Sequence, residues 1–159
     1  MDIIAGNLYF ISDRFFDKIN DPYLKKNYDT TKRPHYFAFR DESTGLYWLV
    51  PCSSKVEKFE RLIQKKQEQH KPTDAIQIVT VLDKKTVLLF QDMFPVRAEY
   101  IEQQYFKGGQ PVKVGSPQLI AELEKTARKI KRKLLFGVRF TPTQPDVIKI
   151  EKIMLGKEE

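Results

Sequence analysis

Pro51-Cys52-Ser53-Ser54-Lys55 sets a thiol, two hydroxyls and an ammonium side by side where an expected strand gives way to an expected helix. The first turn of a helix leaves backbone N–H groups unpaired and carries the positive end of the dipole, so an anion is favoured there. Ser54 and Glu57 have the spacing of a capping box, which accounts for Ser54 without any ligand. Ser53 and Lys55 are not needed by such a cap, and both suit a phosphate. Cys52 is either a buried small residue or a thiol activated by a histidine. Its flanks do not resemble those of a cysteine hydrolase.

Arg33-Pro34-His35 carries one of the two histidines. Imidazole titrates near neutrality, so His35 is a candidate general acid or base; the alternative is a histidine packed at a strand end. His70 sits in a highly charged helix tail and reads as a cation near a helix C-terminus. Two separated histidines, a single cysteine and no close carboxylate cluster give no recognisable metal site, so no metal or other cofactor is expected. Gly108-Gly109 reads as a turn, not as a nucleotide-binding loop. Cutting nucleic acid without a metal favours RNA, whose 2′-hydroxyl is a nucleophile already beside the scissile phosphate. What remains is to remove one proton, donate another to the leaving 5′-oxygen and stabilise the charge between them.

Positioning these groups falls to an expected hairpin. Residues 35–40 and 46–50 read as its arms, joined by Asp41-Glu42-Ser43-Thr44-Gly45. With Arg40 opposite Leu46, Phe39 faces Tyr47, Phe37 faces Leu49 and His35 faces Pro51, which brings the imidazole beside the 52–55 turn. Elsewhere, residues 3–11 suggest a strand with a turn or bulge at Gly6-Asn7, and Ser12 caps a short helix bearing Phe15, Phe16 and Ile19. Residues 25–33 read as a loop. A helix opens after Ser54 with Val56, Phe59, Leu62 and Ile63 on its buried side. Residues 75–81 and 86–91 form a second hairpin, 93–96 a buried connection, and 99–106 and 112–114 further strands. Ser116-Pro117 starts a long helix with a stripe of Leu119, Ile120, Leu123, Ala127, Ile130 and Leu134. Residues 147–154 alternate like a late strand.

The chain has 159 residues with 41% hydrophobic and 12% aromatic residues, enough to bury a core as one domain spanning 1–159. The lone cysteine fits a reducing compartment. No apolar stretch approaches the roughly 20 residues of a membrane-spanning helix, so a cytoplasmic protein with no membrane partner is expected. Lys and Arg number 28 against 21 acids, a formal charge of +7, which points to nucleic acid. Seven basic and no acidic residues lie between Lys125 and Arg139, either a solvated helix face or a basic ridge.

These residues together resemble the endoribonuclease toxins of type III toxin–antitoxin systems, the ToxN, AbiQ and CptN group, and are most similar to the CptN-like branch. The likeness runs along most of the chain. It takes in the opening strand and helix, Arg33-Pro34-His35, the strand 46–50 leading into Cys52-Ser53-Ser54-Lys55, Met93-Phe94-Pro95-Val96 and the long late helix. ToxN-like members carry Thr-Ser-Pro-Lys at the turn. Ser53 and Lys55 match its serine and lysine; Cys52 and Ser54 depart from it. A lysine follows the proline of the strand entry in the related toxin, where this chain has His35. Tyr28 is the nearest counterpart of the family's active-site tyrosine.

The resemblance implies an α+β fold, an antiparallel sheet forming a partial barrel with peripheral helices akin to the MazF/CcdB toxins. It implies metal-independent RNA cleavage leaving a 2′,3′-cyclic phosphate. It also implies a small repeat-derived pseudoknot RNA as antitoxin in a closed protein–RNA assembly, and roles in growth arrest or phage defence. Catalysis would then fall to His35, Lys55, Ser53 and Ser54. Lys32 and Arg33 would bind flanking phosphates and Tyr28 or Tyr36 would stack bases. Lys125, Arg128, Lys129, Arg132 and Lys133 would grip the antitoxin. The rival readings are an RNA- or DNA-binding protein without catalysis and a protein–protein adaptor.

Overall fold

A computed structural model describes residues 1–28 and 30–157. In chain order the elements are β1 (Leu8–Ile11), α1 (Asp13–Ile19), β2 (Pro34–Arg40), β3 (Tyr47–Ser53), α2 (Val56–Glu68), β4 (Ile76–Val81), β5 (Lys84–Leu89), β6 (Phe94–Val96), β7 (Ile101–Gln104), β8 (Phe106–Lys107), β9 (Gln110–Pro111), α3 (Pro117–Leu135) and α4 (Val147–Met154). The antiparallel sheet runs β4-β5-β3-β2-β1-β7, and β6 adds to β3. It is open: β4 and β7 are its two ends. The antiparallel sheet with peripheral helices is as expected, and its strands stop short of a closed barrel.

β3 is the organising strand. On one side it pairs with β2 along most of its length; on the other, β6 takes Tyr47 to Leu49 and β5 takes Cys52 and Ser53. Its side chains are almost all buried because both edges and both faces are covered. Trp48, Tyr36, Tyr9, Phe15, Phe90 and Phe94 are the largest fully buried side chains of the core. Each aromatic removed from water contributes about 1.5–3 kcal/mol.

The hairpin register is as expected at the site end, with His35 opposite Pro51 and Phe37 opposite Leu49. Toward the turn it departs from expectation: a bulge at Ala38 sets Phe39 opposite Trp48 and Arg40 opposite Tyr47. The bulge puts Phe39 and Trp48 in parallel stacking at 6.3 Å.

The expected strand over 147–154 is a helix instead. Its alternation of apolar and charged residues also satisfies a helical spacing, with Val147, Ile150, Ile153 and Met154 buried. Asp146 decides the outcome by accepting the Lys149 N–H at 3.2 Å, a cap no strand would use. The expected strand over 112–114 reduces to an isolated bridge between Asn7 and Lys113. Helix α3 forms as read, capped by Ser116 with Leu123, Ala127, Ile130 and Leu134 buried. Among the described residues no helix is long and apolar enough to cross a membrane.

Candidate active site and nucleic-acid interface

Where β3 ends, the chain turns sharply off the sheet. The Lys55 N–H donates to Ser53 Oγ at 3.2 Å and the Val56 N–H to the Ser54 carbonyl at 2.9 Å. The expected capping box therefore does not form: Lys55 occupies the cap position without a side-chain cap bond, and Glu57 falls one residue too early. Pairing of Ser53 with Val87 keeps β3 extended too far for Ser54 to cap the helix. Ser54 and Lys55 are left exposed, with Ser53 nearly buried between them and the sheet.

Lys25, Tyr28, Arg33 and Lys58 gather around this turn, and with Ser53, Ser54 and Lys55 they line one cleft of about 220 Å³. Lys58 follows the Lys55 cap position by three residues, and both line this cleft. Arg33 is held on three sides. Its Nη1 donates to the Cys52 carbonyl at 2.8 Å, its Nε to the Lys26 carbonyl at 3.2 Å, and its guanidinium lies 4.6 Å over the Tyr28 ring. Four cations and two hydroxyls thus face one space, an arrangement suited to a phosphodiester.

His35 does not join them. It reaches the end of the ladder as expected, but its side chain points into the core, 0% exposed, between Phe16 at 6.2 Å and Phe94 at 5.5 Å. Nδ1–H donates to the Arg33 carbonyl at 2.9 Å, and Nε2 has no hydrogen-bond partner among the described residues. Burial disfavours the imidazolium and pulls the pKa down to about 3. The expected role as general acid or base is corrected: a sealed imidazole cannot reach a substrate proton, and it serves instead to hold the Arg33 backbone.

Tyr36 is corrected for the same reason. Its ring is fully buried against Phe90 and cannot stack on a base. Cys52 is buried, and desolvation pushes its thiol up to about 12, so it stays protonated. Lys32 is ion-paired with Glu102 and borders a separate concavity with Phe10, Pro34 and Tyr105. In the α3 ridge, Arg128 pairs with Glu124 and lies over Phe39, and Lys129 pairs with Asp74 at 2.8 Å. Lys125, Arg132 and Lys133 have no salt-bridge partner among the described residues. No α3 residue lines the basic cleft.

Sequence reasoning missed Lys25, Lys58 and Asp92. Asp92 is 4% exposed, and burial raises its carboxyl to about 6 against the opposing pull of Lys25, Arg33 and Lys58. An acid inside the apolar run Phe90-Gln91-Asp92-Met93-Phe94 was a signal, because such a group needs cations nearby. The i+3 spacing of Lys58 from Lys55 was another; Lys25 had none. Among the described residues no group of three or more His, Cys, Asp or Glu side chains is placed to hold a metal.

No protein-family model matches the chain, and no curated protein matches it by sequence. Solved structures do. AbiQ, a lactococcal anti-phage endoribonuclease belonging to the type III toxin–antitoxin system, aligns over 98% of this chain and 100% of its own, with a TM-score of 0.71 and 10% identity. The fold is that of AbiQ. The likeness read from short motifs therefore holds at the level of architecture. With so few identical residues, AbiQ and this chain share a backbone plan far more than a set of side chains.

Proposed function

We propose that the chain is an endoribonuclease toxin acting as the 2′-hydroxyl attacks the adjacent phosphate, leaving a 2′,3′-cyclic phosphate without a metal ion. The observation that carries this reading is the convergence of Lys25, Arg33, Lys55 and Lys58 on the Ser53 and Ser54 hydroxyls, in a chain with AbiQ's fold. Ser53, Ser54 and Arg33 hold the non-bridging oxygens. Lys25 and Lys58 balance the charge that grows on phosphorus. As the 2′-oxygen bonds to phosphorus its proton passes to water, with the Tyr28 hydroxyl at the cleft orienting it. As the bond from phosphorus to the 5′-oxygen breaks, the Lys55 ammonium donates the proton that the leaving oxygen takes up. A small structured, repeat-derived RNA is the antitoxin. It covers the cleft in a closed assembly and makes growth arrest or phage defence conditional on its loss.

Incubating purified protein with RNA in EDTA tests this. Cyclic-phosphate-ended fragments are expected, and Lys55→Ala should slow their formation by about a hundredfold or more with folding unchanged. Full-rate cleavage by Lys55→Ala, or cleavage that needs a divalent ion, refutes the mechanism. One observation favours a second reading: with His35 sealed, the most obvious acid–base group is absent from the cleft. A non-catalytic RNA- or DNA-binding protein would leave the RNA intact but shifted in the same assay.

A further inference from the structure

Tyr28, Ser53 and Ser54 also border a second cavity of about 400 Å³, lined further by Leu8, Pro34, Val81, Leu82, Thr86 and Tyr105. Lys84 and Lys107 also line it, but most of its walls are aliphatic and aromatic, which sets it apart from the cleft of four cations. Tyr105 is backed by Phe10, ring centroids 5.2 Å apart. The Tyr28 ring remains 47% exposed although Arg33 covers one face. Thr86 Oγ1 lies 3.5 Å from the Lys84 carbonyl, a weak bond that leaves the hydroxyl free for another partner.

Leu82 supplies an independent observation. It sits at the tip of the β4–β5 hairpin with φ 50°, followed by Asp83 at φ 62°. That two-residue turn favours Asn-Gly or Asp-Gly, and a leucine there is conformationally unfavourable. Nor is burial the compensation, because Leu82 is 47% exposed at the rim of this cavity. Backbone strain retained at a cavity rim is a mark of binding elements.

We infer that this cavity is a nucleobase subsite: one unpaired base of an RNA strand inserts between Tyr28, Tyr105 and Leu82 while its phosphate lies on Ser53, Ser54 and Arg33. Aromatic and apolar walls accept the faces of an unstacked base, and Thr86 meets its edge. The inference rests on the RNA-cleaving reading above and adds that the β4–β5 hairpin sets base preference.

The test titrates ¹⁵N-labelled protein with AMP, GMP, CMP, UMP and ribose 5-phosphate. All five should shift the Ser54 and Lys55 amides. At least one nucleotide should also shift Val81, Leu82 and Thr86 and bind about tenfold tighter than ribose 5-phosphate. Leu82→Gly relieves the turn and Thr86→Tyr fills the cavity; each should remove that base-dependent gain and leave ribose 5-phosphate affinity unchanged. Equal affinity for all five ligands, no shift at Val81, Leu82 and Thr86, or a gain untouched by both variants would overturn the inference. Mononucleotides have no bond to cut, so base-dependent binding survives if the cleavage reading fails. Conversely, RNA cleavage without base-dependent shifts would sink only the subsite.

Discussion

Arg33 Nη1 donates to the carbonyl oxygen of Cys52 at 2.8 Å, tying the loop before β2 to the last residues of β3. The Arg33 carbonyl in turn accepts Nδ1–H of the buried His35 at 2.9 Å. The cation of the cleft is thus fixed from both its backbone and its side chain before any ligand arrives. Preorganisation of this kind spares a binding site the entropy of ordering a long side chain.

Arg33→Lys keeps the charge but cannot bridge two carbonyls and stack on Tyr28 together. Both Arg33→Lys and Arg33→Ala should cut RNA at least tenfold more slowly in single-turnover assays, with stability lowered by about 1–3 kcal/mol from the missing hydrogen bonds. Wild-type rates in Arg33→Lys would show that charge alone matters.

His35→Leu should retain RNA cleavage, since the imidazole is sealed away, and the variant should differ chiefly in its stability against pH. His35 binds its proton near pH 3 when folded and near 6.5 when unfolded, so its contribution is present above 6.5 and lost as pH falls toward 3. Asp92 acts oppositely. Its folded value is raised from 3.8 to about 6, so its contribution is present below 3.8 and lost as pH rises through about 6. In the wild type the two slopes largely cancel between pH 4 and 6. Asp92→Asn should expose the His35 slope, about 1.4 kcal/mol lost per unit of falling pH, and His35→Leu should reverse its sign. Urea denaturation across that range measures both. Parallel curves for the two variants would contradict the assignment.

Gly6→Ala should destabilise by about 2–4 kcal/mol in thermal or urea unfolding. Gly6 holds φ 92°, and an added Cβ would lie 2.3 Å from Ile120 Cδ1 on α3. Adding Ile120→Ala should recover part of the loss and not all of it, because the backbone strain stays. Full recovery would mean that crowding alone mattered.

Lys125, Arg132 and Lys133 are the cations of the α3 ridge that make no ion pair among the described residues. Changing all three to alanine should weaken binding of structured RNA and flatten the dependence of log affinity on log salt by about 0.7–0.9 for each phosphate no longer neutralised. Unchanged affinity and slope would return the ridge to a solvated helix face.

Much of this was legible in the chain because its signals are local. Ser12 and Ser116 announce their helices by a hydroxyl that caps the first turn. The hairpin reading of 35–40 and 46–50 gave the register up to Phe37, and the hydroxyls and ammonium of 52–55 suggested an anion at the helix start. Residues 147–154 could not be read so, because one apolar pattern served two periods and only the Asp146 cap chose between them.

Which groups would share a site was settled by packing. A histidine at a strand end reads the same whether it faces solvent or core; α1 and β6 decided it by closing Phe16 and Phe94 over the ring. Lys25 and Asp92 lie far apart in the chain, and nothing near either names the other. They influence one another because the loop before β2 and the connection between β5 and β6 fold together, and charges act through space at distances no local pattern records.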